Sequence, residues 1–570
     1  MSMVDLCKQK KVMESETLYR YCTLLANANV FEHVAIPQAG ATIGFLVFTI
    51  FLVVYRVLLR DARRKHLPPK VRGFPLINQL LFHAGDSQIS EAIKWKKTQG
   101  ELFRTRAGST DYIWLNSREA IKEICDRRSA VYSSRMPLPM ACDTVSAGRR
   151  LVFMPRSKRW RAVRAIIHRL LTPAAAKSYA PIQEYEAKQL SVDLLQEPNT
   201  FYDHNRRYSA SLILQVTYGW RIPVWDCPEI HEINALAARF GRVRQPGRYL
   251  VDTFPGLANN PLFNLVSNWK RDGEEHHKAD AGFWMSLWNR LRGEIEKGTA
   301  PPSFGKGFVQ SGWSSNGLDE LQGAYALGSM IEAGSETTTL FLNHTVIGVL
   351  SRGREVIEKA QEELDRVVGA ERTPNFDDEP NLPYIRAMIK EVLRWRHVNK
   401  IGLTHYATED GWYRHYFIPK GSVIVANVWG MHYDTERYPE PEKYDPMRFI
   451  DHSLSAAEAA AASDPLARPH YSYGAGRRIC PGMHVAERSL YLNVARLLWG
   501  FDIRHAKGEN GAKVHVDATL NNLLPGSMSA PRPFQCDIRP RSSLHEKVMR
   551  QEWKVAQEEG LRIDQSKLEP

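Results

Sequence analysis

Cysteine is scarce in this chain: Cys7, Cys22, Cys125, Cys142, Cys227, Cys480 and Cys536 are scattered over 570 residues. No two stand in a CxxC pair, which excludes a disulfide framework and a zinc knuckle and fits a reducing, cytosol-facing setting. Internal repeats are missing, which excludes solenoids and propellers. Nucleic-acid motifs are missing too. The net charge of +13, from 76 Lys and Arg against 63 Asp and Glu, is therefore assigned to a membrane surface or an acidic protein partner. No flavin or nicotinamide domain is visible, because the glycines at Gly474 and Gly476 lack the third glycine of a dinucleotide fingerprint. Glu274, Glu275, His276 and His277 have no second ligand cluster to complete a metal site.

Long apolar runs are nearly absent, with one exception from about Ile36 to Tyr55, whose central piece GFLVFTIFLVVY carries no charge. About 20 helical residues at ~1.5 Å each span a bilayer core of about 30 Å. Arg56, Arg60, Arg63, Arg64, Lys65 and Lys70 follow at once, which places that side in the cytosol. Lys8, Lys10 and Lys11 on the other side reduce the asymmetry, and a buried core helix is the alternative. The run starts too late and ends in residues too bulky for a cleaved signal peptide.

The expectation is a single-pass protein of the endoplasmic reticulum membrane. It has a lumenal segment at 1–35, a transmembrane anchor at 36–56, a basic linker at 57–70 stiffened by Pro68 and Pro69, a cytosolic body at 71–540 and a charged tail at 541–570. The tail reads as a solvated appendage with an amphipathic helix over His545–Glu559.

Within the body, Leu318–Arg352 reads as one long buried helix interrupted by the small and polar patch AGSETT, Ala333–Thr338. Glu355–Val368 and Tyr384–Trp395 read as further helices, Val423–Val428 as a strand, and Gly298–Gly317 as a linking loop. The sequon Asn343–Thr345 falls on the buried helix, where glycosylation is implausible.

The most informative stretch is YSYGAGRRICPG, Tyr471–Gly482. A thiolate at Cys480 would be stabilised by the N–H groups of the following turn and by a helix starting near Met483. Gly476 and Gly482 would let the backbone approach a flat cofactor. The stretch resembles the haem-binding loop of the cytochrome P450 family, FxxGxRxCxG, filled here by Tyr473, Gly476, Arg478, Cys480 and Gly482. Tyr473 replaces the family's Phe and needs a partner for its hydroxyl.

The resemblance implies haem b with Cys480 as axial iron ligand and Arg478 pairing a propionate. It extends to Glu391 and Arg394, three apart on one helix face, meeting Arg448 of YDPMRF in a structural network. It also covers AGSETT, where Ala333 and Gly334 would form a groove over the iron and Glu336 and Thr337 would relay protons. The plainer reading of that patch is a kink with Thr bonding back along the helix. Trp160 and Arg164 resemble the family's WxxxR element, and His405 falls where relatives contact a propionate.

Where relatives often have prolines, this chain has His397, Lys400 and Thr404, so Asn399 and Lys400 are expected either in the substrate pocket or, for a long Lys, at solvent. Candidate specificity segments are Met136–Ser146, Phe240–Phe263, Val398–Leu403 and Asn521–Met528. Arg156, Lys158, Arg159, Arg161 and Arg169 would form a cationic face for a separate NADPH-dependent reductase.

The expected fold is one mainly α domain with small β-sheets, the cytochrome P450 fold, plus the N-terminal transmembrane helix. The expected activity is a monooxygenase that inserts one atom of O2 into a hydrophobic small molecule, closest in wording to fungal secondary-metabolism members. Alternatives are a family member using haem for isomerisation or peroxide chemistry, a non-catalytic haem-binding scaffold, and a basic RNA-binding protein.

Overall fold

The computed structural model describes residues 62–71, 87–107, 110–245, 247–561 and 563. The chain separates into Met1–His66 and Leu67–Pro570. In the first unit the described part is a short 3-10 helix, Ala62–His66. The apolar run at Ile36–Tyr55 lies outside the described residues, and among the described residues no helix is long and apolar enough to cross a membrane.

The second unit is mainly helical, with one four-stranded sheet and two hairpins. In the larger sheet β1 (Leu102–Ala107) pairs antiparallel with β2 (Thr110–Leu115), while β3 (His405–Tyr406) pairs antiparallel with β6 (Val423–Ala426). The two halves join where β2 runs parallel to β6, with Tyr112 opposite Val423. The hairpins are β4 (Gly411–Tyr413) with β5 (Tyr416–Ile418), and β7 (Phe501–His505) with β8 (Cys536–Pro540).

The expected long helix runs from Glu320 to Ser351, with Asp319 capping its start by accepting the Gln322 N–H at 2.7 Å. It forms the axis of the core because small residues along it admit large neighbours. A Cβ at Gly323 would stand 2.5 Å from the Trp288 ring, one at Gly328 2.5 Å from Trp284, and one at Gly334 2.6 Å from Ile213. Trp284 and Trp288 come from the helix Trp269–Glu296, and Ile213 from the helix Phe201–Tyr218. Such close-packed aromatics bury large apolar areas and fix the helix spacing. Asn343 is buried and accepts from the Asn205 amide at 2.9 Å, so the sequon is a packing element.

Three expectations change. Pro68 and Pro69 are not a free spacer: the Arg104 side chain donates to the Pro68 carbonyl at 3.0 Å and the Arg104 N–H to the Pro69 carbonyl at 2.8 Å, so the body begins with them. Gly298–Gly317 is not plain loop but holds a helix, Phe304–Gln310, because Phe304 and Phe308 fall four apart and both bury fully in the core.

The charged tail does form a helix, Ser543–Glu559, but it is docked rather than solvated. Met549 and Ala556 are buried, Trp553 meets Tyr185 edge-on at 5.1 Å, and the Glu552 carboxylate accepts from Thr373 at 2.6 Å. Most of its charges are exposed, and a sparse apolar stripe together with Glu552 makes the docked face.

Candidate active site

Cys480 ends a turn that is shaped by glycine. Gly476 has φ of +61°, and a Cβ there would lie 1.9 Å from the Cys125 carbonyl oxygen, so the loop closes only with glycine. The Gly476 N–H donates to Asp126 at 2.7 Å, and the Cys480 N–H donates to the Tyr473 carbonyl at 2.8 Å. The helix Met483–Gly500 follows, as expected. Burial pushes the Cys480 thiol up, while the Gly482 N–H and the Arg164 charge pull it down. The sulfur is thus flanked by the groups a thiolate needs.

Arg164 and Trp160 share the helix Lys158–Arg169 and divide the work. Arg164 donates to the Ile479 carbonyl, and Trp160 lays its ring 4.0 Å from the Arg478 guanidinium. Arg478 donates to the Ser133 carbonyl at 2.7 Å and to the Met154 carbonyl at 2.7 Å. His405, on β3, is buried with Nδ1 2.8 Å from the Tyr132 carbonyl. That contact makes Nδ1 the protonated nitrogen, and burial beside Arg135 and Arg478 brings the ring down to about 3.

Nothing in the sequence marks Arg135, a lone loop arginine without periodic context. It is buried and donates to the carbonyls of Val152, Leu403 and Thr404. Arg135, Arg164 and Arg478 therefore gather with carbonyl partners and no ion pair to any described carboxylate. Burial and the two neighbouring charges bring the Arg478 guanidinium down to about 8. A guanidinium does not surrender its proton near neutral pH, so this repulsion calls for an anion.

On the central helix the burial pattern breaks where the sequence places AGSETT. The stretches on either side are largely buried, but Ala333 and Glu336 are exposed and Ser335, Thr337 and Thr338 half-buried. Glu336 is nevertheless enclosed enough that burial lifts its carboxyl above the ordinary range, against the pull of Arg206 and Arg244. A residue both open and desolvated borders an internal gap. Thr337 Oγ1 donates to the Ala333 carbonyl at 2.7 Å, the back-bonded geometry, which leaves its oxygen free to accept. Gly334 does not open a groove toward the gap; its missing side chain is the space that Ile213 occupies.

Behind the loop lies the expected network. Glu391 and Arg394 are fully buried, paired through two contacts of 2.6 Å on the helix Pro383–Trp395. Arg448 approaches Glu391 at 3.4 Å and donates to the carbonyls of Pro439 and Glu440. Tyr473 lacks the partner its hydroxyl was expected to need: the oxygen is buried without a hydrogen bond among the described residues, and the ring stands edge-on to His470 at 5.6 Å. Lys400 is buried rather than at solvent, and its ammonium donates to the Leu524 carbonyl at 2.8 Å; the Asn399 carbonyl accepts from Trp429.

The four expected specificity segments come together in two pairs. Met140, Val145, Phe240, Val251 and Phe263 belong to one apolar cluster, tied by Asp252, whose carboxylate accepts the Met140 and Ala141 N–H groups. Val398 and Lys400 are bonded through their backbones to Ser529 and Ser527.

An interrupted buried helix, a half-buried cysteine on a glycine turn and three arginines without an anion fit an iron porphyrin bearing two carboxylates. The comparisons agree. The cytochrome P450 family model matches residues 68–520. The cytochrome P450 monooxygenase verL of Clonostachys rogersoniana is 39% identical over 90% of this chain and 94% of its own length. The cytochrome P450 monooxygenase pgmC of Aspergillus terreus is 35% identical over 92% of this chain and 96% of its own. A zebra fish cytochrome P450 structure with abiraterone superposes with a TM-score of 0.61 at 20% identity, covering 80% of this chain and all of that one.

The fold and site define a haem-thiolate oxidoreductase. The chain belongs to the cytochrome P450 family and is a cytochrome P450 monooxygenase. In this family haem held by a cysteine thiolate supplies oxygen activation. Cys480 would hold the iron, and Arg478, Arg135, Arg164 and His405 would meet the propionate side.

Proposed function

We propose that this enzyme inserts one oxygen atom from O2 into a hydrophobic small molecule, as a hydroxylation or oxidative tailoring step in fungal secondary-metabolite biosynthesis. Electrons come from NADPH through a separate reductase, and haem b sits on Cys480. The observation that carries the reading is the uncompensated cation cluster of Arg135, Arg164 and Arg478 beside Cys480, since two haem carboxylates and the Cys480 thiolate would together balance its three charges. The relatives at 35 to 39% identity are named cytochrome P450 monooxygenases, from Clonostachys rogersoniana and Aspergillus terreus, which supports the reaction class. Glu336 and Thr337, both bordering the gap, support oxygen chemistry over isomerisation: a raised carboxyl delivers protons, and the hydroxyl oxygen accepts a hydrogen bond from water.

The endoplasmic reticulum anchor remains part of this reading, resting on the apolar run and its basic flank. Exposed Leu262, Leu265 and Val266 on the short helix Pro261–Val266 add a second apolar surface suited to a bilayer. Lys158, Arg161 and Arg169 are exposed on the Trp160 helix and support docking of an acidic reductase surface there.

The test is the difference spectrum of dithionite-reduced, haem-supplied protein with and without carbon monoxide. A red-shifted thiolate-type Soret band is expected; its absence from well-folded protein overturns the reading. Within it, Thr337→Ala is expected to divert a large share of NADPH to hydrogen peroxide. Unchanged coupling of NADPH use to product would remove Thr337 from proton handling.

A further inference from the structure

A second charged group lies on the far side of the loop that holds the cation cluster. Arg150, fully buried, pairs with Asp280 at 2.9 Å and with Glu332 at 3.1 Å, and Arg239 joins Asp280 at 3.2 Å. These residues come from a loop, the central helix and the two helices Pro228–Val243 and Trp269–Glu296. Arg150 lays its guanidinium 3.5 Å from the Phe240 ring. Arg244, at the end of the Pro228–Val243 helix, stands 5.0 Å from the Phe153 ring and 5.5 Å from Phe240.

Arg244 differs from its neighbours. Its guanidinium makes no hydrogen bond or ion pair with any described residue, whereas Arg150 and Arg239 share two carboxylates. It is half-buried, and Glu332 and Glu336 of the central helix act on it from beyond ion-pair distance. Phe153 is one residue from Met154, whose carbonyl holds Arg478, so Arg244 also lies near the propionate side. A cation beside two contacting aromatic rings, with no hydrogen bond or ion pair to any described residue, keeps its donors for a ligand.

We infer that Arg244 is a specificity-determining residue, binding the carboxylate of an otherwise apolar acid, with Phe153 and Phe240 fixing the position of the guanidinium. The inference rests on the monooxygenase reading and names its substrate class. Asp280 and Glu332 are engaged by Arg150 and Arg239, and Glu336 stands beyond ion-pair distance of Arg244, so the Arg244 donors have no carboxylate in contact among the described residues. Arg150 holds Phe240, and so Arg244, in place.

The experiment is calorimetric titration of the full-length, haem-loaded enzyme with dodecanoate and naphthoate and with their methyl esters. Wild type is expected to bind at least one acid about tenfold more tightly than its ester. Arg244→Gln is expected to abolish the preference with ester affinity unchanged, and Arg244→Lys to retain it. Equal affinity for acids and esters in wild type, or a preference surviving in Arg244→Gln, overturns the inference. So does loss of haem from Arg244→Gln, which would assign Arg244 to the cofactor. Calorimetry needs no haem signal, and the carbon monoxide spectrum of the same preparation reports separately on the monooxygenase reading.

Discussion

Cys480→Ala protein is expected to fold, to lose the thiolate-type carbon monoxide band completely and to show no oxygenase turnover. The substitution removes the sulfur and little else. The turn is held by its backbone, through the Cys480 N–H to Tyr473 and the Gly476 N–H to Asp126, and neither bond uses the thiol. The sulfur makes no hydrogen bond that the folded loop depends on, and it is half-exposed, so the stability cost is about 1 kcal/mol or less. What disappears is the group that the Gly482 N–H and Arg164 favour as an anion. Circular dichroism and thermal unfolding should match wild type, and the reduced carbon monoxide spectrum should not. A thiolate-type band persisting in the variant would move the ligand to another residue.

The parts of this molecule that a sequence reader finds are those where chemistry restricts the residue type. Gly476 was legible as part of the pattern around Cys480, though the close approach it permits is to the Cys125 carbonyl: with φ of +61° and that oxygen 1.9 Å from where a Cβ would stand, no side chain fits. Glu391 and Arg394 were legible through the resemblance and the YDPMRF stretch downstream; their spacing adds only that three residues on a helix bring two side chains to one face. The central helix announced itself through length and apolarity, and its observed ends fall within two residues of the expected ones.

Other features leave no such trace. Arg135 is an arginine among loop residues, and its place beside Arg478 is set by carbonyls of Val152, Leu403 and Thr404, two of them nearly 270 positions away. Lys400 looked free because its partner, the Leu524 carbonyl, is a backbone atom, and any residue type can supply one. Gly334 was read with its neighbour Ala333 as one groove, but adjacent helical residues point 100° apart, and one faces Ile213 while the other faces the gap. The docked C-terminal helix was misread because charge dominates its composition, while three or four side chains decide its docking.

Glu391→Ala is expected to be the most damaging single change outside the haem loop, and its effect should travel to the cofactor. Removing the carboxylate leaves Arg394 fully buried with only carbonyl partners, His432 at 2.7 Å and Pro441 at 2.9 Å. Breaking a buried pair from one side costs about 3–5 kcal/mol, enough to consume much of a domain's stability. The loss also releases the Asp445 N–H and Arg448, both of which lean on Glu391 Oε1. From there the path to the haem loop is short: the His432 ring accepts the Tyr471 N–H at 2.9 Å, and Ser472 Oγ donates to the Leu393 carbonyl at 2.5 Å. Tyr471 and Ser472 open the turn that ends at Cys480. The haem-to-protein ratio of the purified variant should therefore fall severely, and its denaturation midpoint should drop with it. Glu391→Gln, which keeps the shape and an acceptor oxygen, should lose less of both. Wild-type haem content in the alanine variant would show that the network stabilises the helices without supporting the loop.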